Sequence, residues 1–278
     1  MVKNQDPLVS VLICVYNPDI EQFIKCVKSI LNQDFTNFEI VLVNDGSSND
    51  ILSTVDVLMN IDKRIRLLNL ERNIGLTRAL NEGLINCKGR YIARHDSDDI
   101  SQPDRLRQQV EFLKEHPDVM IVGSYAFYID SLDNIIGKHS FDFDKIKLKR
   151  SNHIVHGSIM FRRSLTELAE KVYDERLKYS QDYGLYLKTV FKYKMKIAIL
   201  KTPLYFLRIH NNSISSKRRV QQLYYSVLAK RIYLFGDKEI KQFKLLFHLL
   251  FDYAFIHYFF IYSTFTNIKA QIRSLLRI

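Results

Sequence analysis

"RYIARHDSDD", residues 90–99, runs from an apolar strand straight into three carboxylates within four positions, Asp96, Asp98 and Asp99. Like charges packed this closely repel one another, so a folded chain gathers them for a reason. Helix capping accounts for one of them. Asp99 or Ser101 is placed to cap the helix expected over "PDRLRQQVEFLKEH", with Pro103 in its first turn and Asp104 favoured by the helix dipole. An EF-hand loop fails, because it requires an acid or amide at Ile100, glycine at Ser101 and glutamate at Arg107. What remains is a divalent cation carrying phosphates. Mg2+ or Mn2+ is held by one or two carboxylates plus substrate oxygens, which leaves the other acids to bind sugar hydroxyls.

The residues before the cluster say where it sits. "LVSVLICVY" (8–16) and "FEIVLVND" (38–45) are continuous apolar runs rich in β-branched residues, as expected of parallel strands buried on both faces. Between them Ile20, Phe23, Ile24, Val27, Ile30 and Leu31 mark one face of a helix. A helix from about Asn49, a short strand over 64–70 and a helix from Leu76 to Asn86 lead into the strand 90–94. Strand–helix alternation predicts a doubly wound, mostly parallel α/β sheet, in which ligands bind beyond the carboxyl ends of the strands. Those ends are Tyr16-Asn17, Asn44-Asp45 and the acidic cluster.

From about Val119 the pattern changes. "VMIVGSYAFYID" and "NIIGKHSF" read as strands turning at 132–134, followed by a lysine-rich amphipathic stretch to Arg150. A strand is expected over "HIVHGSIMFRR" (153–163), a helix over "SQDYGLYLKTVFKY" (180–193), and two short strands in "MKIAIL" and "LYFLRIH". Beyond Ser216 everything reads as helix.

Composition narrows the class. An apolar fraction of 47% supplies a sizeable core, and three scattered cysteines without metal spacing fit a reducing cytosol rather than a disulfide framework. The start, "MVKNQDPLVS", shows no secretory pattern. The formal charge of +11 is concentrated near the end: from Lys201 onward 13 Lys or Arg face only Asp237, Glu239 and Asp252. A near-neutral body with a basic tail points to an anionic partner. Residues 245–262, "LLFHLLFDYAFIHYFFIY", approach a spanning length but contain Asp252 and two histidines. With Lys241, Lys244, His248 and Asp252 on one stripe, and Lys269, Arg273 and Arg277 beyond, the tail reads as an interfacial helix on anionic lipid. The alternative is a helical subdomain packed on the body or on a second copy.

Taken in order, "PLVSVLICVYNP", "SILNQDFTNFEIVLVNDGSSND", "NIGLTRALNEG" and "GRYIARHDSDDISQPDRL" resemble the inverting family-two glycosyltransferases of GT-A fold. "HGSIMFRRS", "QDYGLYLK" and "LRIHNNSIS" continue the resemblance to about residue 216. It implies a GT-A domain over 1–216, with a nucleotide-binding half at 1–100 and an acceptor-binding half at 101–216, and a helical extension over 217–278. It also implies a nucleotide-diphosphate donor, UDP-linked by expectation, and a metal ion, Mn2+ or Mg2+. The acceptor would be a lipid-linked glycan of bacterial surface polysaccharide assembly, such as O-antigen or capsule, met by a cytoplasmic enzyme resting on the inner membrane.

By the same resemblance Tyr16 lies beside the nucleobase, with Cys14 and Asn17 flanking it, and Asp45 accepts from the uracil N–H, with Asn44 standing in the family's first acidic position. Arg72 and Arg78 contact base or diphosphate, or else are solvated helix-end charges. Asp96 and Ser97 face ribose and diphosphate, while Asp98 or Asp99, joined by His210, hold the metal. Asp182 in "QD", where the family has a pair of acids, is the base that inversion requires, although it would stabilise its helix N-terminus in any case. His156 is a weaker candidate near the acceptor. Two rivals stand beside this reading. A sugar-1-phosphate nucleotidyltransferase needs a glycine-rich first loop, where this chain has "CVYNPD"; a nucleic-acid-binding protein rests on the pI of about 9.4 alone.

Overall fold

The computed structural model describes residues 6–168, 170–209 and 218–235. The chain divides into two units, Met1–Leu234 and Phe235–Ile278, and all of the second except Phe235 lies outside the described residues. His210 and the proposed interfacial helix at 245–262 fall there too.

Strand β1 (Val9–Val15) is followed by α1 (Ile20–Leu31), β2 (Phe38–Asp45), α2 (Asn49–Ile61), β3 (Ile65–Leu70), α3 (Leu76–Asn86) and β4 (Tyr91–His95). These four strands pair in parallel in the order β3-β2-β1-β4. Because β1 leads outward to β2 while α3 carries the chain back to β4, the winding reverses between β1 and β4. A doubly wound sheet opens its ligand crevice at such a reversal. The apolar runs of β1 and β2 are packed on both faces, which is why they lack a polar alternation. Val9, Val11, Ile13, Ile40 and Leu42 meet Phe23, Val27 and Ile30 of α1 and Val55 of α2. Leu12, Val41 and Val43 meet Ala79, Leu80 and Leu84 of α3 on the other side.

The second half extends the same sheet. After a two-residue β5 (Ile100–Ser101) come α4 (Arg105–Glu115), β6 (Val119–Ile129), β7 (Ile135–His139), α5 (Lys145–Arg150), β8 (Met160–Arg162), α6 (Leu165–Leu168), α7 (Gln181–Leu187) and β9 (Lys196–Arg208). Among the described residues nine strands form one mixed sheet, with β8 antiparallel to β4 and β6 parallel to β9.

Three expectations are corrected. The strand expected over 153–163 is a 3-10 turn at His156–Ser158 followed by only three strand residues. The two closing strands are one, β9, whose register against β6 slips around Pro203, where no N–H is available to the ladder. Neither Asp99 nor Ser101 caps α4, which begins at Arg105. The last described helix, α8 (Arg219–Lys230), packs on the body, so the structure does not break at 216. Ala229 is buried, the Ser180 hydroxyl donates to the Gln222 carbonyl at 2.9 Å, and Lys230 Nζ donates to the Arg150 carbonyl at 2.6 Å.

Candidate active site

The crevice floor is built by two loops stapled together. Asn17, in the left-handed region at φ 44°, donates its N–H to Ser47 Oγ at 3.0 Å, and its Oδ1 accepts from Ser48 N–H at 2.9 Å. Asn44 shapes the same turn, accepting from Ser47 N–H and donating to Asn69 Oδ1 at 2.7 Å. Gly46 is required here. At φ 73° it lies so close to the backbone of Arg72 and Asn73 that a Cβ would sit 2.5 Å from Asn73 N.

Asp45, only 3% exposed, spends both carboxylate oxygens on that neighbouring loop: Oδ1 accepts from Ile74 N–H at 2.7 Å and Oδ2 from Gly75 N–H at 3.0 Å. Its visible role is to hold the 72–75 loop, which the sequence reading had not assigned. Tyr16 stands exposed just past the end of β1, with half-buried Cys14 two residues behind. Arg72 is exposed, and Arg78 Nε lies 3.4 Å from Glu175 Oε2.

The three acids behave differently from one another. Asp96 pairs with Arg94, whose guanidinium is buried at 2% exposure. Asp99 points inward, and its Oδ1 accepts from Arg208 N–H at 2.7 Å. Burial, with Asp96 and Asp98 alongside, pushes its carboxyl well above the usual carboxylate range. Through its bond to Arg208 N–H, Asp99 ties the acidic loop to β9. Asp98 remains at the half-buried mouth, its own carbonyl taken by Arg208 Nε at 2.8 Å. Ser97 is also half-buried.

Behind the loop lies a hydrogen-bonded chain. Arg105 Nη1 donates to Ser101 Oγ at 3.0 Å, and Ser101 Oγ and His95 Nε2 lie 2.9 Å apart. His95 Nδ1 is 2.7 Å from the Asp96 carbonyl, which can only accept; the network therefore assigns the proton to Nδ1 and makes Ser101 the donor to Nε2. Burial holds His95 far below its ordinary value, so it stays neutral. Tyr205 completes the support, its hydroxyl accepting from Asp96 N–H at 3.0 Å beneath the Arg105 guanidinium.

From the second half, α7 brings Asp182 to the same place. Ser180 before it adopts φ 55°, a left-handed entry that non-glycine residues take only when the surroundings impose it. Asp182 lies in the first turn, and its Oδ2 accepts from Asn152 Nδ2 at 2.7 Å. Asn152 is itself fixed, because its Oδ1 accepts from Ile154 N–H at 3.0 Å. Burial pushes the Asp182 carboxyl up, while the Tyr183 N–H and the Arg94 charge pull it down. His156, 2.9 Å from the Tyr173 hydroxyl, is kept neutral by burial, with Arg94 adding to the effect. Cys14, Asp96, Tyr173 and Asp182 all fall within the field of Arg94. One buried cation thus acts on both the acidic loop and Asp182.

For a metal the mouth offers hard oxygen donors. Among the described residues no three His, Cys, Asp or Glu converge to cage an ion. Mg2+ and Mn2+ accept one or two carboxylates completed by diphosphate oxygens, and half-buried Asp98 supplies a donor of that kind. Arg94, Asn152, Tyr205 and Arg208 escaped the sequence reading. The one available signal was a cation in the apolar strand "YIAR", immediately before the acids.

Residues 10–169 match the sequence profile of Glycosyl transferase family 2, and the chain belongs to that family. It is 30% identical to an uncharacterized glycosyltransferase of Methanocaldococcus jannaschii, over 95% of this chain and 92% of that one. It is 31% identical to the bifunctional glycosyltransferase pgtA of Dictyostelium discoideum, over 86% of this chain but only 38% of that protein's length. Among solved structures, TarS of S. aureus in complex with UDP-GlcNAc superposes with a TM-score of 0.62 at 20% identity, covering 75% of this chain and 60% of that one. The mannosyltransferase PcManGT of Pyrobaculum calidifontis, in complex with GDP-Man and Mn2+, superposes with a TM-score of 0.60 at 17% identity, covering 81% and 64%. The fold is that of the GT-A glycosyltransferases.

Proposed function

We propose that the protein transfers a sugar, with inversion, from a nucleotide-diphosphate donor to an acceptor hydroxyl, with a UDP-linked sugar as donor and a lipid-linked glycan as acceptor. The observation that carries this reading is the meeting of two acids across one buried cation: Asp96 on the donor side and Asp182 on the acceptor side, both in the field of Arg94. TarS in complex with UDP-GlcNAc and PcManGT in complex with GDP-Man and Mn2+ support a nucleotide-sugar donor and a metal for a chain of this fold.

Inversion needs the acceptor oxygen to attack the anomeric carbon from the face opposite the leaving diphosphate. Asp182 takes the acceptor hydroxyl proton as the new carbon–oxygen bond forms, and the bond to the β-phosphate oxygen breaks with its electron pair leaving on the diphosphate. Asn152 donates to Oδ2 of Asp182 and so orients the carboxylate that receives the proton. The Asp45-held loop and Tyr16 frame the base, and Asp96, oriented by Arg94 and Tyr205, binds donor hydroxyls. Mn2+ or Mg2+ held by Asp98 would neutralise the diphosphate charge. The working domain is the body through α8, acting at the cytoplasmic face of the membrane.

A screen of nucleotide-sugars with Mn2+ and polyprenyl-linked acceptors, followed by NMR of the product, tests the reading. An α-linked donor should yield a β-linked product. Retention of configuration, or turnover with sugar-1-phosphate and nucleoside triphosphate instead, would overturn it.

A further inference from the structure

The β6–β7 hairpin displays its apolar residues outward. Leu132 in the turn is 77% exposed, and Ile135 and Ile136 at the start of β7 are 58% and 57% exposed. The ladder explains the adjacent pair. Among the described residues β7 bonds only to β6, and the register shifts between Tyr128 and Ile129, so that Ile135 faces Ile129 while Gly137 faces Tyr128. Ile136 is the extra residue of a bulge, a device that re-aims side chains. Edge strands of soluble proteins are ordinarily guarded by charge rather than tipped with three branched apolar residues.

The surrounding charge says what would cover them. The acids of the segment are engaged: Asp133 with Lys25 and Arg208, Asp142 with Tyr125 and Lys201, and Asp144 with the first N–H groups of α5. Lys138 on β7 and Lys145, Lys147, Lys149 and Arg150 on α5 are left in excess. Lys138 lies over the Tyr125 ring at 5.5 Å and Lys147 over Phe141 at 3.9 Å, and Phe141 and Ile146 are themselves exposed. Apolar tips, aromatic rings and lysines along the hairpin and the segment that follows it are the chemistry of a bilayer interface.

We infer that this hairpin dips into an anionic lipid surface, seating the body on the membrane independently of the tail. Arg208 fixes its depth relative to the site. The guanidinium donates to the Asp130 carbonyl at 2.7 Å and to Asp133 Oδ1 at 2.5 Å at the hairpin, and to the Asp98 carbonyl at the acidic loop. An immersed hairpin would therefore hold the acidic loop near a lipid-borne acceptor. That consequence rests on the proposed function; the immersion does not.

The chain contains no tryptophan, so Ile136→Trp in the full-length protein is a unique fluorescent probe. With phosphatidylglycerol vesicles its emission should shift to the blue and be quenched by brominated acyl chains. Ile85→Trp, on the exposed face of α3, should show neither effect. Ile135→Asn with Ile136→Asn should lower partitioning onto those vesicles by about tenfold or more. The inference is overturned if Ile136→Trp stays water-like while the protein co-sediments with vesicles. It is equally overturned if the emission is already blue-shifted in buffer, which would mean that protein covers the hairpin. Neither readout depends on sugar transfer.

Discussion

Replacing Asn152 with alanine removes the hydrogen bond from Nδ2 to Asp182 Oδ2 at 2.7 Å, together with the local one that Oδ1 accepts from Ile154 N–H at 3.0 Å. Hydrogen bonds to charged groups contribute about 1.5–3 kcal/mol, and because Asn152 is exposed the lower figure applies. At 1.36 kcal/mol per pH unit, that corresponds to roughly a tenfold change in the protonation equilibrium of the carboxylate. The direction follows from the chemistry. Asp182 must be ionised to take a proton, burial already pushes its carboxyl up, and the Asn152 N–H favours the ionised form. Without it the carboxyl rises further, so kcat/KM should fall about tenfold on the acid limb and return toward the parent value as pH rises. Asn152→Asp, which sets a second negative charge beside the first, should move the limb further in the same direction. The assay is kcat/KM for sugar transfer between about pH 5.5 and 9, with donor Kd measured in parallel. An equal loss at every pH would show that Asn152 positions the acceptor instead. An unchanged profile would mean the bond has no bearing on the base.

Other outcomes follow from the donor half. EDTA should abolish transfer, and Asp98→Asn should lose most activity with melting unchanged; full activity in EDTA would remove the metal from the account. Gly46→Ala forces a Cβ to within 2.5 Å of the Asn73 nitrogen at φ 73°, so thermal denaturation should show a loss of about 1–3 kcal/mol together with weaker nucleotide binding. Arg94→Leu leaves half-buried Asp96 without its cation and should lower stability in urea unfolding at neutral pH, by less than the loss of a fully buried partner would. Asp96 is already raised when folded, so it binds its proton more tightly in the native state, and stability falls as pH rises above the unfolded value of about 4. The deficit of that variant should accordingly shrink toward about pH 4.

The parallel half of the fold was legible because its strands are buried on both faces. Continuous apolar runs at 8–16 and 38–45, alternating with one-faced helices, admit few other arrangements. The second half was less so. β9 looked like two strands because Pro203 interrupts a ladder that the rest of the strand continues, and β8 looked long because the turn at 156–158 has apolar flanks. Within the site, sequence located the acids but not their orientations. Whether Asp98 or Asp99 faces outward depends on the pitch of one turn and on a backbone N–H donated from residue 208. Arg94 and Arg105 were invisible as buried groups because charge in a sequence is assumed to be solvated. The Asn152–Asp182 bond joins residues thirty positions apart and had no local signal.

The central claim is that Asp182 takes the acceptor proton, and Asp182→Asn tests it most directly, since asparagine keeps the shape of the side chain and cannot serve as the base. A positioned base is worth about 10²–10⁴ in rate, so kcat should fall by that factor while donor and metal affinity stay close to the parent values. If Asp182→Asn retains most of its kcat, or chiefly weakens donor binding, then Asp182 is only a favourable charge at the start of α7 and the base lies elsewhere.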